Sequence, residues 1–143
     1  MTVIAIKGRI IAVDSSCYAS GVYSGMMKKL HPVPDEFGGG WIAGAGSAAI
    51  VNVAIRAIQK GGANARPEKN EADFNLIWLR ADGSVWLVER EATFEVTAPF
   101  HAEGSGHAIA LGAMAAGASA EEAVRIACDL EQSCRGPVVW RRL

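Results

Sequence analysis

Neither sign of charge dominates this sequence. Across 143 residues, 14 lysines and arginines face 15 aspartates and glutamates, a formal net charge of -1. That balance removes the basic footprint that nucleic acid or an anionic membrane would need, and small or neutral partners fit better. Long hydrophobic runs are missing too: no stretch reaches the roughly 18 apolar residues of a membrane span. Residues 1–6 have neither the basic region nor the apolar stretch of a secretory leader. The expectation is a soluble, cytoplasmic protein in which residue 2 lies near the true start. Cysteines are few and odd in number. Cys17, Cys128 and Cys134 form no CxxC pair, so neither a zinc cage nor a complete disulfide framework is expected. The three histidines, His31, His101 and His107, lack the i, i+4 spacing and the nearby Cys or carboxylate pattern that would mark metal ligands.

What the chain does have is apolar material. Half of it is hydrophobic, enough for one domain over residues 1–143 with a substantial core. Residues 3–6 and 10–13 are β-branched runs separated by Lys7, Gly8 and Arg9, the pattern of a tight hairpin. Residues 17–26 are too mixed to assign, 26–30 read as a short strand, and 31–40, with two prolines and three consecutive glycines, read as a loop. A strand at 41–44 precedes a helix over 47–60, whose apolar positions Ile50, Val53, Ala54, Ile55 and Ile58 fall near helical spacing. Residues 61–72 form a polar connection. A second hairpin follows at 74–79 and 84–88, then a strand at 93–97. An alanine-rich helix covers 107–116, and Ser119 with Glu122 makes a capping box for another that runs to about residue 133. Gly136 and Pro137 end it before a final strand at 138–140. Strands and helices grouped this way favour an α+β layered domain over alternating βαβ units.

Several short segments carry a family pattern in their order and spacing. They are Thr2-Val3-Ile4, Ala12-Val13-Asp14-Ser15, Lys28-Lys29-Leu30, Ile42-Ala43-Gly44 and Gly104-Ser105-Gly106. Each is common alone, but together they span nearly the whole chain and it resembles the proteasome β-subunit and HslV family of N-terminal-nucleophile (Ntn) hydrolases. The resemblance implies a four-layer αββα sandwich, here with a shortened helical layer because residues 61–72 replace a long helix. It also implies a threonine peptidase acting on peptides or unfolded polypeptide, a homo-oligomeric ring, a possible unfoldase partner, and no metal or organic cofactor.

Within that resemblance Thr2 is the nucleophile once Met1 is removed. A hydroxyl is a poor nucleophile near neutral pH, and the α-amino group of the same residue, with a reference pKa of about 7.7 to 8.0, can accept its proton. Lys29 sits beside the hydroxyl as a positive charge, Asp14 holds Lys29, the Gly44 N–H serves the oxyanion, and Ser105 organises the threonine amine. Blander readings exist for each: a solvated strand face for Lys28 and Lys29, a turn residue for Asp14, a tight strand-to-helix turn for Gly44, a helix N-cap for Ser105. Counting back from the hairpin turn leaves two registers, one with Met1 and one with Thr2 at the nucleophile position. The family's peptidases often place an acidic residue before the last strand, where Gln132 and Ser133 stand here, so one supporting contact is expected to be altered or missing.

Two other functions compete. A non-catalytic assembly or binding protein would keep the sandwich without a free threonine. A dinucleotide-binding domain is raised by Gly44-Ala45-Gly46-Ser47-Ala48-Ala49, which follows a strand and opens a helix as a G-x-G-x-x-A fingerprint does. It lacks the following strand with an acidic end that such a unit requires.

Overall fold

The structure, a computed structural model, describes residues 2–68 and 72–143. Among the described residues it has a mixed architecture of β-sheets and three α-helices. Strands β1 (Val3–Lys7) and β2 (Ile10–Val13) form the first hairpin. Gly8 and Arg9 both take positive φ, 60° and 64°, which gives the two-residue turn whose twist matches that of its strands. The hairpin lies at the centre of a four-stranded antiparallel sheet. Its outer strands are β10 (Phe100–Gly104), beside β1, and β11 (Val139–Arg142), beside β2. A five-stranded sheet runs in the order β5 (Leu30–Pro32), β6 (Trp41–Ala45), β7 (Asn75–Leu79), β8 (Val85–Glu89), β9 (Thr93–Val96). A small hairpin, β3 (Ser16–Ala19) and β4 (Val22–Met26), stands apart from both sheets.

Period-two alternation sorts each strand's side chains into separate clusters. From the first hairpin, Val3, Ala5 and Ala12 pack with buried residues of α2 (His107–Ala115) and α3 (Ala120–Leu130), such as Met114 and Val124. Ile4, Ile6, Ile11 and Val13, on the opposite face, join Ala43, Ile77, Leu79 and Leu87 from the five-stranded sheet in one cluster. The other face of that sheet, through Ile42, Leu76, Trp78 and Val88, meets Val51, Ala54, Ile55 and Ile58 of α1 (Ala48–Gly61). Strands buried on both faces need no polar side, which is why Val3 to Ile6 read as an unbroken apolar run. No described helix is long and apolar enough to cross a membrane.

The structure corrects several sequence expectations. Residues 26–30 are not one strand: β4 ends at Met26 and β5 begins at Leu30. Between them the Met27 N–H donates to the Ser15 carbonyl at 2.9 Å, and Lys29 turns its side chain inward. Residues 17–26, left unassigned, lie in the β3–β4 hairpin, whose exposed faces give no alternation to read. The stretch 31–40 holds the end of β5 and a 3-10 turn at Asp35–Phe37. Strand β10 was not expected, because Phe-His-Ala-Glu-Gly has no β-branched run; pairing with β1 makes it a strand. Helix α3 ends at Leu130 instead of 133, since Glu131 is already extended. The capping box at Ser119 and Glu122 is present with both reciprocal hydrogen bonds.

Candidate active site

Three polar side chains meet at the mouth of the first hairpin. Thr2, which leads into β1, is 8% exposed, and its Oγ1 lies 3.0 Å from Lys29 Nζ. Lys29 comes from the segment entering β5, so the contact joins the two sheets' leading ends. The same Nζ donates to both Asp14 oxygens, at 3.0 and 3.1 Å. Asp14, one residue past β2, is fully buried and held by more than the lysine. Its carboxylate accepts from the Val3 N–H at 3.0 Å, the Ser16 N–H at 3.2 Å and the Ser16 hydroxyl. Burying both charges is tolerated because every lone pair has a donor; removing one partner of such a pair costs about 3 to 5 kcal/mol. The neighbouring Lys28 is exposed, so the solvated-face reading fits Lys28 and not Lys29.

Ser105 approaches Thr2 from the other side. The Thr2 N–H donates to Ser105 Oγ at 3.2 Å, and the Ser105 hydroxyl lies 3.2 Å from the Thr2 carbonyl oxygen. The N-cap of α2 is Gly106, which leaves Ser105 to Thr2. Gly104 makes this approach possible. Its φ is 94°, and a Cβ there would collide with the Thr2 carbonyl.

Glu131 and Ser133 extend the network, a feature that sequence reasoning missed. Ser133 Oγ is 3.2 Å from Ser105 Oγ, and it donates to Glu131 Oε1 at 2.8 Å, with the Ser133 N–H on the same oxygen at 3.2 Å. The Ser133 hydroxyl, and then its N–H, hold the Glu131 carboxyl below the usual carboxylate range. An acidic residue is therefore present after all, one position before Gln132. The legible signal was Glu131-x-Ser133 just past the end of α3.

Beside Thr2 a cavity of about 490 Å³ opens between the β3–β4 hairpin and the start of α1. Gly44 lines it together with Thr2 and Lys29. A Cβ on Gly44 would lie 2.5 Å from Val51 Cγ1 and 2.6 Å from Leu76 Cδ2, so close packing of α1 on the sheet already requires glycine. His31 also lines the cavity, with its pKa lowered by burial first, then by the charges of Lys28 and Arg56.

Burial foremost, with Asp14 nearby, pushes the Cys128 thiol up to about 12, and burial raises Cys134 as well, so neither is a thiolate near neutral pH. His101 pairs with Glu103 at 2.8 Å and His107 Nδ1 meets the Gly104 carbonyl at 2.7 Å. Among the described residues no group of three or more His, Cys, Asp or Glu could hold a metal ion. The strand before the Gly44–Ala49 motif and the one after its helix, β6 and β7, pair antiparallel, whereas a dinucleotide crossover requires parallel strands. The register with Met1 at the nucleophile position lies outside the described residues.

No protein-family model matches the chain, and no curated protein matches it in sequence. Solved structures do match in fold. The chain is similar to Thiobacillus denitrificans BPH at 19% identity and a TM-score of 0.71, covering 99% of this chain and 96% of that one. BPH has also been solved in complex with epoxomicin. Eukaryotic HslV from Trypanosoma brucei matches at 18% identity and a TM-score of 0.68, covering 99% and 98%. An Anbu (Gly-1) mutant from Hyphomicrobium sp. strain MC1 matches at 14% identity and a TM-score of 0.77, covering 99% and 80%. At these identities the likeness is one of fold.

Proposed function

We propose that the chain is an αββα Ntn-hydrolase sandwich and a threonine peptidase that hydrolyses peptides or unfolded polypeptide through Thr2 after loss of Met1. One observation carries this reading: the Thr2 hydroxyl lies 3.0 Å from a buried lysine that is itself ion-paired to a buried aspartate. A merely structural threonine does not need such an arrangement. The fold likeness to HslV, BPH and Anbu supports it.

In the reaction the Thr2 α-amine takes the hydroxyl proton while Oγ1 attacks the peptide carbonyl carbon. Lys29, positioned by Asp14, stabilises negative charge on Oγ1, and the Gly44 N–H donates to the carbonyl oxygen as it becomes an oxyanion. The C–N bond then breaks, and the leaving amine takes the proton from the Thr2 ammonium. Water, deprotonated by the same amine, attacks the resulting ester and frees Thr2. Ser105, backed by Ser133 and Glu131, orients the amine. No metal or organic cofactor takes part in these steps. The site works in the cytoplasm within a homo-oligomeric ring, open to an unfoldase partner.

The test compares two forms whose N-termini are established by intact mass. The form beginning at Thr2 hydrolyses fluorogenic peptides and binds epoxomicin, whereas the form retaining Met1, whose Thr2 nitrogen is an amide, does neither. Equal turnover by both forms overturns the proposal. Inactivity of both leaves the protein as a non-catalytic assembly or binding protein of this fold.

A further inference from the structure

The cavity beside Thr2 has a sign of charge, set by residues outside the reacting group. Its lining includes Lys28, Lys29 and His31 but, among the described residues, no aspartate or glutamate. Lys29 is committed to Asp14, and Asp14 itself is fully buried behind it. Lys28 is exposed. Across the cavity Ala48 and Asn52 line the wall from α1, and the same helical stripe reaches Arg56 one turn later. Arg56 is exposed and close enough for its charge to act on His31. The lining therefore gathers Lys28, His31 and Asn52, with Met27 and Val51 supplying apolar atoms, while Arg56 stands outside it one turn beyond Asn52 on α1.

Such a cavity discriminates among side chains. The methylenes of a glutamate would lie along Met27 and Val51, and its carboxylate would meet the Lys28 ammonium and an imidazole that can donate a hydrogen bond. A lysine or arginine would bring like charge against Lys28. A large apolar side chain would strip water from Lys28, His31 and Asn52 and give them nothing in return.

We propose that this cavity receives the side chain on the acyl side of the scissile bond and selects a carboxylate, so that the substrates are peptides cleaved after glutamate or aspartate. The inference rests on the hydrolase reading for its meaning, but it can be tested by binding alone.

In the inactive Thr2→Ala protein, calorimetric titration with acetyl-Ala-Ala-Xaa-amide is expected to rank Glu above Leu and Leu above Lys, with Glu over Lys by about tenfold or more. Lys28→Glu should cut that Glu-to-Lys ratio at least about tenfold. His31 adds a pH signature. Burial and the flanking cations hold it below its ordinary 6.5, so it is neutral at pH 7 and gains its charge on acidification. The Glu-to-Leu binding ratio therefore rises as pH falls below 6.5 while the peptide carboxylate stays ionised, and His31→Asn abolishes the rise. Equal binding of Glu and Lys, a reversed order, or a ratio untouched by Lys28→Glu overturns the inference. Turnover by the protein beginning at Thr2 is read separately. If the binding order holds without turnover, the carboxylate preference stands and the peptidase reading falls.

Discussion

Lys29 Nζ stands 3.0 Å from the Thr2 hydroxyl while occupying the centre of a buried ion pair. The lysine is held by Asp14 on one side and meets the Thr2 hydroxyl on another. That makes Lys29 both a stability element and a site element, and the two roles can be separated.

Lys29→Met should lower turnover by at least about 10²-fold and cost about 3 to 5 kcal/mol of stability, because Asp14 is left buried and uncompensated. The double variant Lys29→Met/Asp14→Asn should recover part of the stability and none of the turnover. Urea unfolding and peptide hydrolysis measured on the same samples check both outcomes.

Ser105→Ala removes the group that contacts the Thr2 nitrogen and carbonyl. The expected result is a fall in kcat of roughly 10- to 100-fold with KM nearly unchanged, since the proposed mechanism gives Ser105 the role of orienting the amine. A thermal-melt shift unaccompanied by a kcat change would assign Ser105 a packing role only.

Glu131 gives a pH prediction. Its pKa in the folded protein lies below the ordinary 4.5 because the Ser133 hydroxyl and N–H favour the carboxylate. The contribution is therefore present above pH 4.5 and lost as pH falls through the lower folded value. Between about pH 4.5 and 3, the melting temperature of the wild type should drop more than that of Glu131→Gln. Parallel curves for the two proteins would contradict this.

Gly44→Ala tests packing at the cavity wall. The added Cβ meets Val51 and Leu76 at 2.5 and 2.6 Å. Overpacking of this kind costs typically about 1 to 3 kcal/mol. The displacement should also reach the backbone beside Thr2, so kcat falls with stability. Calorimetric unfolding and hydrolysis rates measure the two effects.

Much of this arrangement was legible in the sequence because local signals and global fold agree. The first hairpin, α1 with its Ile55 and Ile58 face, and the capping box at Ser119 each follow from short-range pattern. Thr2, Asp14, Lys29 and Ser105 were located by ordered motifs, and the structure brings them together from the start of β1, the end of β2, the entry to β5 and the β10–α2 turn. What stayed hidden depends on long-range partners. Strand β10 exists because β1 pairs with it, and Glu131 joins the site through Ser133 and Ser105. The exposed β3–β4 hairpin lacks any buried face to impose a pattern, and the bend at Met27 is fixed by Ser15 twelve residues earlier.

The central claim is that the residue-2 hydroxyl is the nucleophile. Its most direct test is peptide hydrolysis by three proteins that begin at residue 2: wild type, Thr2→Ser and Thr2→Ala. The account predicts turnover by the first two and a loss of about 10³-fold or more in the third, with all three folded. Undiminished hydrolysis by Thr2→Ala would contradict it.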